Sequence, residues 1–307
     1  MKDLKVYLVI IAASLTIAAC SSSDDDNTTT ATREVNLNRN TVSSGMSTYI
    51  TRTEFPKVST GTNSTVVCHE TSDYGLNYSL EWDNTLKAQR WVCFYWCDSN
   101  SKENWKRSNW NSTEWKGDPF QVDPTLAESV RTELAHYKNS GYSRGHMVAS
   151  ADRLNSKEAN MQTFFLSNMH PQKSAFNSGI WNSMEEKLRS WNRYSFRDTL
   201  FVCKGGTIGN VTINGQSESG ILTYTSSKLV VPKYFYMAVV RQKGNLYKGA
   251  AFWFEHLDEN RSKDDLKNYM ISIDELEKRT GIDFFCNLRD DIENSVESSA
   301  DPADWIW

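Results

Sequence analysis

Two runs rich in aromatic and β-branched residues, 234–241 and 247–254, flank Gln242-Lys243-Gly244-Asn245. Short strands on either side of a glycine-bearing turn read as a β-hairpin, and a hairpin commits the chain to antiparallel pairing. Further strand candidates lie at 90–97, 163–166 and 200–204. Between them Ile180, Trp181, Met184, Leu188 and Trp191 recur at helical spacing and predict one helix. A second helix opens at Ser272, with Glu275 three residues on as a capping box, and closes at Gly281. Strands and helices that do not alternate as βαβ units argue for an α+β fold, with a central, mostly antiparallel sheet flanked by helices. With 307 residues, 39% of them apolar, the chain can bury a full core, and one folded domain is expected.

The first twenty residues read as a sorting signal. Lys2 and Lys5 lead into an apolar run, 6–19, shorter than the roughly 20 residues a membrane-spanning helix needs. The run ends in Ile17-Ala18-Ala19-Cys20, which resembles the lipobox of bacterial lipoproteins. That resemblance implies cleavage before Cys20 and a lipid anchor on its thiol. Ser21-Ser22-Ser23-Asp24-Asp25-Asp26 follows, similar to the acidic tag that sends some Gram-negative lipoproteins to the outer membrane, so anchoring there is expected, with the periplasmic or surface face left open. Residues 21–65 are polar and rich in Ser, Thr and Asn, and read as a flexible tether. The folded domain is expected over 66–307.

Charge is distributed unevenly around a net of −4. Residues 87–116 carry six basic and three acidic side chains, whereas 255–307 carry six basic and fifteen acidic ones. A wholly basic nucleic-acid coat is excluded, but a local positive groove is not. Beyond Cys20 there are five cysteines, Cys68, Cys93, Cys97, Cys203 and Cys286, so at least one is unpaired. Cys93 and Cys97, about 13 Å apart along a strand, do not bridge to each other. No cysteine spacing suits a zinc site. Two distant disulfides and merely buried thiols both remain open.

The chemistry concentrates between 141 and 185. His146 follows a glycine-bracketed turn, Gly141-Tyr142-Ser143-Arg144-Gly145, and in an extended segment Arg144 and His146 face the same way. A phosphate could lie between that fixed charge and a base able to accept a proton. His69, His136, His170 and His256 lack such a setting and are read as structural. Asn177 and Glu185, eight residues apart, would stand about 12 Å apart along a regular helix and about 80° around it, too far to ligate one ion together. A hydrated Mg²⁺ keeps most of its waters, so Asn177 could bind the ion while Glu185 holds one of its waters.

The stretch 141–152, then Asn168-Met169-His170-Pro171-Gln172, then Asn177 with Trp181 and Glu185, resembles the DNA/RNA non-specific endonucleases of the ββα-metal group. Their pattern is Asp-Arg-Gly-His, Asn-x-x-Pro-Gln and Asn-x-x-x-Trp-x-x-x-Glu, and the likeness extends over roughly 66–307. It implies the ββα-metal nuclease fold, DNA and RNA as substrates, and Mg²⁺ (with Mn²⁺ as an alternative) as cofactor. By the same resemblance His146 is the general base and Asn177 the metal ligand. Glu185 orients metal-bound water, Arg144 stands beside the phosphate, and Asn168 helps hold the base and the metal shell. The products implied are 5′-phosphate and 3′-hydroxyl ends. Two positions depart from the family pattern: Ser143 replaces its Asp, and Thr113 occupies the slot of a further arginine, for which Arg107 is the nearest substitute. These departures leave a second expectation open, a nuclease-fold surface lipoprotein that binds nucleic acid with little or no turnover. Oligomeric state is not legible.

Overall fold

The computed structural model describes residues 35–110 and 119–307. The leader with Cys20, the acidic run after it and the stretch around Thr113 lie outside the described residues. In chain order the elements begin with β1 (Ser64–Thr71), β2 (Gly75–Asp83), β3 (Ala88–Trp96), α1 (Leu134–Tyr137), β4 (Ser143–His146), α2 (Lys157–Gln162) and β5 (Met169–Gln172). Next come α3 (Ser174–Phe176), α4 (Asn182–Trp191), β6 (Thr199–Gly206), β7 (Asn210–Ile213), β8 (Gln216–Ser219), β9 (Ile221–Tyr224) and β10 (Val230–Pro232). The chain finishes with β11 (Tyr234–Lys243), β12 (Leu246–Glu255), β13 (Met270–Ile271), α5 (Ile273–Thr280) and α6 (Asp290–Glu297).

Seven strands form one antiparallel sheet in the order β1-β2-β3-β6-β11-β12-β13. The hairpin expected from the sequence is β11–β12, in register from Tyr234↔Glu255 to Lys243↔Leu246. Gly244 at its tip has φ of +58°, which glycine adopts without strain. Successive side chains alternate across the sheet. Leu80, Val92, Phe94, Leu200, Val202, Phe235 and Phe252 face a layer containing Ile180, Trp181, Met184, Leu188 and Trp191 of the helical run through α4. Trp91, Cys93, Phe201, Cys203, Tyr236 and Trp253 face the opposite layer, with Ile273 and Leu276 of α5 and Val296 of α6. The helix expected at Ser272 is α5: Ser272 Oγ accepts from Glu275 N, and Gly281 ends it in the left-handed region.

Two expectations are corrected. Residues 163–166 do not form a strand. Thr163 Oγ1 donates to Asn160 O at 2.6 Å and closes α2, and the Phe164 ring then packs with Phe120, Tyr137 and Leu166. Phe165 makes a single bridge to Gln121, a 3-10 turn covers Leu166–Asn168, and pairing starts at Met169. The tether also ends earlier than expected, since 35–63 is packed into the same body. Asn40 Nδ2 donates to Ile50 O and Pro56 O, Asn287 Nδ2 reaches back to Ile50 O and Arg52 O, and Ile50 and Phe55 are buried. Polar composition misled here because these asparagines bond to backbone rather than to water. Among the described residues the five cysteines are free thiols, with Cys93, Cys203 and Cys286 buried and Cys68 and Cys97 partly exposed. Among the described residues no helix is long and apolar enough to cross a membrane.

Candidate active site

A small hairpin, β4 paired with β5, carries His146 at its end, in register Gly145↔His170 and His146↔Met169. Gly145 is required here by crowding: a Cβ would stand 2.2 Å from Gln172 Cδ. The His146 ring packs against Phe120 and Phe164, with centroids 5.5 and 5.4 Å away, and its Nε2 is buried without a hydrogen-bond partner. Burial first, and then the charge of Arg107, push its pKa down to about 3, with Asp152 pulling the other way. The ring is therefore neutral at physiological pH and able to accept a proton.

Asn168 fixes the segment after His146. Its Oδ1 accepts from Val148 N at 2.9 Å, and its Nδ2 donates to Val148 O and Thr163 O. The amide is fully engaged by backbone, so Asn168 is a positioning residue and not one that touches substrate. Trp181 Nε1 donates to His146 O at 3.2 Å and ties the same strand end to the helical run. The four remaining histidines are structural, as expected. His69 pairs with Asp123, His136 caps α1, His170 is buried, and His256 accepts from Lys173 N and bonds Pro232 O.

Asn177 and Glu185 do not lie on one regular helix. A π-turn spans Asn177–Trp181, with Gly179 at φ −100° and ψ −116°, between α3 and α4. Such a bulge widens the turn and shifts the register of everything after it. The eight-residue arithmetic of a regular helix therefore does not apply. Ser143, in the slot of the family's Asp, has its Oγ 3.0 Å from Ser174 Oγ at the start of this run. It links the His strand to the Asn helix.

Beneath the site lies a buried charge cluster in which only Glu185 was anticipated. Lys204, fully buried, directs Nζ to Glu185 Oε1 at 3.2 Å and to Asp152 Oδ2 at 3.4 Å. Arg189 Nη1 holds Asp152 Oδ1 at 3.0 Å. Burial raises the Glu185 pKa to about 7, while Lys204 opposes that rise. The signal for Lys204 was available: in a strand at 200–204 it shares the face of Leu200 and Val202, which is the face toward α4.

Two lobes of one cleft, about 700 and 620 Å³, meet at Arg107, His146 and Asn177. The first lobe adds Ser143, Arg144, Tyr142 and Lys138, and the second adds Glu185, Arg189 and Lys106. Arg144 lies over the Phe120 ring at 3.9 Å and Arg107 over Phe164 at 5.1 Å, the two rings that pack on His146. Half-buried Asn177 offers a neutral amide, and the nearby Glu185 carboxylate has much of its charge offset by Lys204. A donor set this weak does not strip a cation of its waters, and it suits a hydrated divalent ion.

A hairpin bearing a histidine, packed beside a helical run that bears an asparagine and a glutamate, on one side of an antiparallel sheet, defines a ββα-metal nuclease fold. The chain belongs to the DNA/RNA non-specific endonuclease family, whose model matches residues 54–291. It is 32% identical to a nuclease of Nostoc sp. over 181 residues, which is 56% of this chain and 61% of the relative. Nuclease C1 of Cunninghamella echinulata var. echinulata is 32% identical over 165 residues, 52% of this chain and 62% of its own. Mitochondrial endonuclease G of Homo sapiens is 27% identical over 162 residues, 52% of this chain and 53% of its own. The chain thus spans about three fifths of the length of the first two relatives. A chain in the crystal structure of the EndoG/EndoGI complex superposes with a TM-score of 0.60 at 22% identity, covering 72% of this chain and 86% of that one, and shows the shared fold.

Proposed function

We propose that this protein is a divalent-metal-dependent endonuclease that hydrolyses phosphodiester bonds of DNA and RNA without sequence or sugar specificity. The observation that carries this reading is the convergence of Arg107, His146 and Asn177 on the junction of the two lobes. A strand running through both lobes would place one phosphate at that junction. Arg107 and Arg144 supply fixed positive charge to the phosphate oxygens. Contacts of this kind carry no base information, which accounts for indifference to sequence. Neutral His146 accepts the proton of an attacking water, and Asn168 and Trp181 hold the strand end from which it does so.

Asn177 would hold the metal ion, with Glu185 in support; Mg²⁺ is the ion we assign, and Mn²⁺ would substitute. When bound, the ion supplies positive charge that stabilises the pentacoordinate phosphorus and the leaving 3′-oxygen. Fully buried Lys204 keeps Glu185 and Asp152 in place without direct access to substrate, and Arg189 holds Asp152 from the wall of the second lobe. The products are 5′-phosphate and 3′-hydroxyl ends. The leader and Cys20 support action outside the cytoplasm, lipid-anchored to an outer membrane. Labelling with radioactive palmitate, lost in Cys20→Ala, tests that anchor.

The activity is tested by incubating the purified protein with plasmid DNA and with RNA, in Mg²⁺ or in EDTA. Cutting of both in Mg²⁺ alone is expected. Tight binding to DNA with no cutting in any divalent metal overturns the reading and identifies a binding protein on a nuclease fold.

A further inference from the structure

On the sheet face opposite the cleft, Asp274 and Glu277, three residues apart on α5, meet Glu297 at the end of α6. One carboxylate oxygen from each lies within 4.8 Å of the other two. Glu297 is only 5% exposed, and its Oε1 is buried without a hydrogen-bond partner. Glu277 accepts one hydrogen bond, from Phe284 N at 2.7 Å on Oε1, which leaves its second oxygen available. The charged groups that act most strongly on Glu297 are carboxylates: Glu277, Glu293, Asp283 and Asp274. Of the two cations on α5, Arg279 is taken by Glu275, and Lys278 has no ion pair among the described residues. Among the described residues no lysine, arginine or histidine is ion-paired with any of the three.

A buried carboxylate with neither cation nor donor is costly, and it is neutralised by a proton or by a metal. The arrangement favours a metal. Three convergent oxygens are a hard, anionic donor set, and two of the three residues are only half-buried, which leaves room for water to complete a shell. Ca²⁺ accepts irregular oxygen shells such as two helices with side chains of different length would offer, whereas Mg²⁺ demands a near-ideal octahedron and keeps most of its waters. Zinc would call for nitrogen or sulfur ligands.

We propose that Asp274, Glu277 and Glu297 form a Ca²⁺ site, distinct from the catalytic centre, that clamps α5 to α6. The site lies within the strongly acidic stretch 255–307, whose excess charge the cleft does not use.

The test is thermal unfolding of the EDTA-stripped protein, with and without Ca²⁺ at about a hundred times its Kd. Wild type, Glu297→Gln, Asp274→Asn and Asn177→Ala are compared. Ca²⁺ is expected to raise Tm by about 5 °C in wild type and in Asn177→Ala. It is expected to leave Glu297→Gln and Asp274→Asn unmoved. If Glu297→Gln fails to fold, half-exposed Asp274 carries the test. No shift in wild type, a shift that survives in Asp274→Asn, or a shift lost in Asn177→Ala overturns the site. An equal shift with the same concentration of Mg²⁺ overturns its assignment to Ca²⁺.

Discussion

Lys204 Nζ stands 3.2 Å from Glu185 Oε1, and neither the lysine nor the Asp152 carboxylate it also contacts has solvent-exposed side-chain surface. One strand of the sheet thereby holds a carboxylate of the helix that lines the cleft. Removing the lysine leaves two carboxylates buried together, with the Arg189–Asp152 contact as their remaining ion pair among the described residues. Lys204→Met should destabilise the fold by about 3–5 kcal/mol in urea unfolding. Adding Glu185→Gln to that variant should restore most of the loss while leaving nuclease activity low. Equal instability of the single and double variants would show that packing, not charge, is what Lys204 contributes.

Gly145 is there because Gln172 occupies the space of a side chain. Gly145→Ala puts a Cβ 2.2 Å from Gln172 Cδ and should cost about 1–3 kcal/mol. Shortening the neighbour, in Gly145→Ala with Gln172→Ala, should recover part of that stability. If Gly145→Ala alone melts at the wild-type temperature, the close approach does not matter.

The pH response of His146 has a definite sign. Its folded pKa of about 3 lies below the value of about 6.5 expected when unfolded. Its contribution to stability is therefore complete above about pH 6.5 and is lost as pH falls toward 3. Between pH 7 and pH 5 wild type should lose stability relative to His146→Ala, by at most about 1.4 kcal/mol per pH unit. The kcat/KM profile should show no acid limb at 6.5 from this residue. A stability difference that does not change with pH would mean that His146 titrates as an ordinary histidine.

Asn177 should control the metal requirement. Asn177→Ala is expected to lower plasmid cleavage by about 100-fold and to raise the Mg²⁺ concentration needed for half-maximal rate. Asn177→Asp, which keeps an oxygen ligand, should retain more activity than the alanine variant. Unchanged Mg²⁺ dependence in both would place the ion elsewhere.

Periodicity made the architecture legible, and motif spacing made the candidate site residues legible. The β11–β12 hairpin, the helix through Trp181 and Trp191, and α5 with its cap each follow from local patterns. His146, Asn177 and Glu185 reach one cleft, as the resemblance implied. What the sequence hid was non-local or irregular. The π-turn at Asn177 contains Gly179, where a Cβ would meet Asn260 Oδ1 at 3.1 Å, closer than ordinary contact. Lys204 joined the site through strand alternation that its distance from the motif concealed. Residues 35–63 looked like tether because Asn36, Asn38 and Asn40 are polar, yet each bonds to groups in the folded body. The departure at Ser143 also takes on a structural meaning. Its hydroxyl meets Ser174 Oγ at 3.0 Å, so this position joins the strand of His146 to the start of the helical run.

The central claim is that His146 is the base of a metal-dependent nuclease. Single-turnover cleavage of plasmid DNA in Mg²⁺ by wild type and by His146→Ala, with folding of both checked by circular dichroism, tests it most directly. A fall of about 10²- to 10⁴-fold in the folded variant is predicted. Cleavage within a few-fold of wild type, still abolished by EDTA, would contradict it.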